Sequence, residues 1–107
     1  MDEVTVVNVG RDFSRFPVGR YAADGDANGE AFRRKYLEPA IRSGRVVRIE
    51  LDDALGYGSS FLEEAFAGLI RHGFDEGVIG RHLKLVTADD SLREEIEGYI
   101  RDAVRSK

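Results

Sequence analysis

The 107-residue chain contains no cysteine and no tryptophan, and only two prolines and two histidines. Without cysteine there are no disulfides, no thiol catalysis and no cysteine-ligated zinc or iron cluster, and a reducing compartment fits. His72 and His82 give no ligand spacing for a metal: His72 reads as a cation at a helix C-terminus and His82 as the start of a strand. No apolar run approaches the roughly 18 residues of a membrane span. The opening Met-Asp-Glu-Val-Thr has neither a cationic n-region nor an apolar h-region, so the expected location is cytoplasmic, away from any membrane. Positive charge is not in excess either. Sixteen basic against twenty acidic side chains give a net charge of -4, which argues against nucleic acid as a partner. Gly19, Gly25 and Gly29 lack the strand before and helix after that a dinucleotide fingerprint needs, and no cofactor is expected.

What is present suits one domain over residues 1–107. Hydrophobic residues make up 42% of the chain, and six phenylalanines and four tyrosines supply bulk for a single core. Val4, Val6, Val7 and Val9 predict a first strand over Glu3 to Val9, and Phe16 to Tyr21, entered through Pro17, reads as a short second one. A helix follows from Gly29, with Phe32, Tyr36, Leu37, Ala40 and Ile41 on one face, Asn28 as N-cap, Gly44 as stop and Pro39 bending it. Val46 to Leu51 predict a buried strand. Leu62, Ala65, Phe66, Leu69 and Ile70 fall at helical spacing before Gly73 ends the run. Asp75 to Gly80 read as a polar connection, His82 to Thr87 as a strand, and Ser91 with Glu94 as the capping box of a last helix. The order is β-β-α-β-α-β-α, an α/β fold with a four-stranded mixed sheet and helices packed against it, each keeping one wet, charged face.

The informative stretch runs from Arg45 to Phe74, where a strand meets a glycine-rich turn and a helix. Ser60 and Glu63 have capping-box spacing, a structural role that needs no partner and contributes about 1 kcal/mol. A phosphate on Ser60 would add nearly two negative charges at a helix N-terminus, where dipole and amides favour an anion. Arg20 follows a Pro-x-Gly turn and either reaches an anion at that turn or pairs with Asp24 or Asp26 at the surface. Tyr57, between two glycines, is the favoured aromatic contact for a partner. Glu50, Asp52 and Asp53 cluster at a strand end, a common place for active sites in α/β sheets, but lack a partnered base or nucleophile. The chain is therefore expected not to be an enzyme.

Pro17, Gly19 and Arg20, then Gly29, Glu30 and Phe32, and above all Gly58-Ser59-Ser60-Phe61-Leu62 with Glu64, Ala65 and Phe66, give the chain a family likeness. It resembles STAS-like domains, relatives of the bacterial anti-sigma-factor antagonists and of sulphate-transporter cytoplasmic domains, and most of all the small uncharacterised STAS-like proteins. The resemblance implies a regulatory protein-interaction domain. Ser60 takes the position phosphorylated in the antagonists and Ser59 the one before it, while Gly58 replaces their aspartate and Phe61 their glycine. An ATP-binding, kinase-like protein is the implied partner, meeting Tyr57, Gly58, Ser59, Ser60, Phe61 and Glu64. The alternative reading is a small-anion or nucleotide-binding module that uses the same helix N-terminus with Arg20.

Overall fold

The structure is a computed structural model that describes residues 3–107. Three strands, β1 (Val4–Asn8), β2 (Val46–Glu50) and β3 (Leu83–Val86), form a sheet in that order, all parallel. Val7, Ile49 and Leu85 stand in register across it. Helices α1 (residues 29–42), α2 (residues 59–71), α3 (Glu76–His82) and α4 (Asp90–Arg105) complete the fold.

Two helices carry a wide turn in their middle, at Arg33–Leu37 in α1 and Glu63–Ala67 in α2. In α1 the Glu38 N–H donates to the Arg33 carbonyl five residues back. The next residue, Pro39, has no N–H to continue the ladder, and the wide turn absorbs the mismatch without breaking the helix. Asn28 caps α1 as the sequence predicts, its side-chain oxygen accepting the Ala31 N–H at 2.8 Å. Gly44 and Gly73 end α1 and α2 with φ of 81° and 95°, values that a side chain would strain.

Three expectations are corrected. Residues 16–21 are not a strand, so the sheet has three parallel strands rather than four mixed ones. This segment is held at single points, by Val18 N–H to the Ala27 carbonyl at 3.0 Å and by Gly58 N–H to the Pro17 carbonyl at 3.0 Å, with no continuous ladder. The polar connection is the helix α3, capped by Asp75, whose carboxylate accepts the Gly77 and Val78 amides. His82 ends that helix, and its Nδ1 lies 3.2 Å from the Arg45 carbonyl. The last helix opens at Asp89 and Asp90 as expected, but its N-cap is Asp89, accepting the Leu92 N–H at 3.1 Å, and not Ser91.

The core lies on one face of the sheet. Val7, Val47, Ile49 and Leu83 point to it, joined by Phe32, Leu37 and Ile41 of α1, Ile79 of α3 and Ile96 of α4. Helix α2 is central and buried almost all round, from Phe61 and Leu62 through Leu69 and Ile70, because α1 and α4 both pack on it. It therefore has no wet face of the expected kind. The side chains of the sheet's opposite face, Val4, Val6, Arg48, Lys84 and Val86, are exposed. Among the described residues no helix is long and apolar enough to cross a membrane.

Candidate functional site

The turn after β2 brings the two serines to the N-terminus of α2. Gly58 is the N-cap, with φ -69° and ψ 141° and no side chain to bond the first amides. Ser59 and Ser60 are exposed first-turn residues, so the capping box expected of Ser60 and Glu63 does not form. Glu63 instead faces arginines. A Cβ on Gly58 would lie 3.1 Å from Val18 Cγ2, so the turn sits tightly against the loop that follows Pro17.

That loop is ordered by its own polar contacts. The Asp24 carboxylate accepts the Arg20 and Tyr21 N–H groups at 3.0 and 3.1 Å, which holds it below the usual carboxylate range. Gly29 and Glu30 N–H donate to the carbonyls of Gly19 and Arg20, clipping the loop to the start of α1. Val18, Arg20, Tyr21, Gly58, Ser59 and Ser60 consequently border one surface depression. Of these, Val18 and Tyr21 are exposed apolar side chains.

The Arg20 guanidinium turns neither to Asp24 nor to open solvent. It donates to Glu63 Oε1 at 2.6 Å and Glu64 Oε1 at 3.0 Å. Arg71 grips Glu63 with two nitrogens at 2.7 and 2.9 Å and reaches Glu64 at 3.0 Å. Arg33, inside, donates to Glu64 Oε2 at 2.5 Å and to the Glu64 carbonyl at 2.9 Å, while its Nε meets Glu38 at 2.8 Å. Hydrogen bonds from Arg71 and Arg20 pull the Glu63 carboxyl below its usual range despite partial burial. Burial pushes Glu64 upward, but bonds from Arg33 and Arg20 outweigh it and hold that carboxyl low as well. The structure thus brings Arg20 to the serine helix with its Nη1 engaged by two carboxylates.

Two expected contact residues, Phe61 and Glu64, are buried, and a third, Tyr57, is half-buried. Phe61 is fully buried in a chain of rings with Phe13, Phe32 and Tyr57, at centroid distances of 6.0, 5.7 and 6.1 Å. Glu64 is 2% exposed and committed to the ion cluster. Tyr57 is half-buried, its hydroxyl donating to the Leu51 carbonyl at 2.7 Å. Burial, with the Asp52 and Asp53 charges nearby, pushes its phenol well above the usual range. Leu55, at the start of the expected surface, is exposed, whereas the exposure of Phe16, Val18 and Tyr21 is not anticipated from the sequence. The signal available was apolar side chains in a stretch with no periodicity to bury them.

The acidic cluster at the strand ends serves the fold. Asp52 accepts the Thr87 hydroxyl at 2.5 Å and the Ala88 N–H at 2.8 Å, bonds that lower its pKa. Asp53 accepts the buried Asn8 side-chain amide at 2.6 Å. These contacts staple the loops after β1, β2 and β3 to one another. Among the described residues no three acidic or histidine side chains are grouped to hold a metal ion.

A family model described as a STAS-like domain of unknown function matches residues 28–93, more than half of the chain. No curated protein and no solved structure matches it significantly. The chain belongs to this STAS-like family.

Proposed function

From that membership we propose that the chain is a non-enzymatic, regulatory protein-interaction domain, with Ser60 as its phosphorylation switch and Ser59 as the neighbouring acceptor. One observation carries the reading: both serines are exposed in the first turn of α2, which has no side-chain cap, beside the exposed apolar Val18 and Tyr21 of the same depression. A partner burying those two side chains also covers the hydroxyls. A phosphate there places charge against a surface that must be desolvated on docking, and so favours release. Tyr57 supports this surface from below by fixing the turn to Leu51. The partner is an ATP-binding, kinase-like protein, by analogy with the antagonists that the chain resembles.

The small-anion alternative has less support, because Arg20 is already paired through Nη1 with Glu63 and Glu64, whose charges repel an added anion. Absence of enzymatic activity is part of the proposal, and it rests on the structural duties of Asp52 and Asp53. The test is recovery of partners from lysate of the native cells with wild-type and Ser60→Asp baits, with mass spectrometry of the Ser59-Ser60 peptide. The expected result is one ATPase-like protein on the wild type, lost with Ser60→Asp, together with phosphoserine in that peptide. An unphosphorylated peptide with no such protein on either bait overturns the reading.

A further inference from the structure

Among the described residues the helices occupy one face of the parallel sheet and leave the other bare. Parallel sheets are built from crossovers that normally cover both faces, so a bare one is unusual. Its register is regular. Val4 pairs with Val46, and Val6, Arg48 and Lys84 form one row across all three strands. Glu50 and Val86 pair in the next row. Val4 and Val6 are 52% and 47% exposed, and Val86 is exposed too. Asn8, at the C-terminal end of the same face, is instead buried, its N–H donating to the Asp12 carboxylate, its side-chain amide donating to Asp53 and its side-chain oxygen accepting the Arg11 N–H. The bare area is thus a patch of valines crossed by a stripe of two cations, with Glu50 as an acid 3.8 Å from Arg48.

We infer that this face is a second docking surface, distinct from the serine turn, and that its occupant is an amphipathic helix with acidic residues beside an apolar stripe. Size decides for one helix. Three strands about 4.8 Å apart span about 10 Å between the outer two, the diameter of a single helix with its side chains. Charge decides the chemistry, since Arg48 and Lys84 lie where the flank of such a helix passes. Lys84 Nζ rests only on the Gly80 carbonyl, at 3.3 Å, and has donors left for a carboxylate. A second copy fits less well. Two-fold pairing of these faces sets Arg48, on the central strand, near its own counterpart and adds like charge to like.

The experiment uses the full chain, labelled with nitrogen-15, and a synthetic 18-residue helical peptide with a leucine stripe flanked by glutamates. Its control carries lysines in place of the glutamates. The glutamate peptide is expected to shift the amides of Val4, Val6, Arg48, Lys84 and Val86 while leaving Ser59 and Ser60 in place. The lysine peptide is expected to bind about tenfold more weakly, and Lys84→Glu to weaken the glutamate peptide about fivefold, the scale of reversing one exposed pair. Lys84 is exposed, so the variant's spectrum otherwise matches the wild type. Equal binding of the two peptides, or shifts confined to another surface, overturns the inference. So does a dimer in sedimentation that Val6→Asp dissolves, which assigns the face to a second copy. Because the readout is separate from Ser59 and Ser60, either result stands whatever becomes of the phosphorylation proposal.

Discussion

Arg33 and Glu64 meet in the interior, 1% and 2% exposed, each from the wide turn of a different helix. The same guanidinium also donates to the Glu64 carbonyl, and it lies where a Cβ on Gly68 would come within 2.3 Å of Nη1. One ion pair thereby fixes how α1 crosses α2. Removing either partner leaves a buried charge short of its innermost partner, Glu64 keeping Arg20 and Arg71, and Arg33 keeping Glu38. Arg33→Met and Glu64→Leu are each expected to destabilise by about 3 kcal/mol in urea unfolding, and the double variant by less than their sum, since the second change removes the under-paired charge. Additive losses would deny the coupling.

Acid should weaken this junction in a defined direction. Glu63 and Glu64 have carboxyls held below their unfolded range by arginines. Such groups add stability that is complete above the ordinary glutamate value of about 4.3 and is lost as pH falls through the lower folded value. The urea midpoint is therefore expected to stay level from neutrality to about pH 5 and then to drop. Asp12, Asp24 and Asp52 are lowered too and steepen the fall. In Glu63→Gln the drop should be shallower; an unchanged profile would remove Glu63 from the account.

Two glycines should respond oppositely to alanine. At Gly29, where α1 begins, a Cβ would stand 2.5 Å from the Phe61 carbonyl oxygen and 3.0 Å from the Ala65 nitrogen. Backbone cannot yield as a side chain does, so Gly29→Ala is expected to cost about 2 kcal/mol. Around Gly80, inside α3, nothing lies within 4 Å of the added carbon. There alanine is expected to raise stability by up to about 1 kcal/mol through helix propensity. Thermal unfolding of both variants decides.

Capping gives a sharper contrast. Asn28 and Asp89 bond the amides of Ala31 and Leu92, and alanine at either is expected to cost about 1 kcal/mol. Ser60 lies two residues past its helix's N-cap, Gly58, and is exposed, so Ser60→Ala should change stability by less than about 0.5 kcal/mol. A loss near that of Asn28→Ala would return Ser60 to a capping role.

Much of this architecture is legible in the residues. The valine run of β1, the apolar run of β2 and the heptad-like spacing of α2 give three elements directly, and Gly44 and Gly73 mark two ends. Other parts are not local properties. Whether Phe16 to Tyr21 forms a strand depends on its lying along a strand edge, and its backbone bonds go instead to Ala27 and Gly58 in loops. Helix α3, seven residues with two glycines, is too short to show a period, although Asp75 before Val78 and Ile79 is its signature. At the site, the two serines and the nearness of Arg20 follow from the motif. The burial of Glu64 does not, because only tertiary packing places Arg33 opposite it. Phe61 falls outside the α2 stripe and was read as surface, yet α1 covers that side of the helix.

The strictly sequential strand order has a consequence for how the chain assembles. Each strand pairs only with the next in the sequence, so no segment is threaded between two already joined, and every pairing closes one crossover of middling length. Such a topology sits between helical bundles and sandwiches in folding speed. The apolar layer can collapse around β2 first, and the arginine-glutamate cluster, whose charges must shed water together, then closes last. Substitutions in that cluster would speed unfolding while leaving the folding rate nearly untouched.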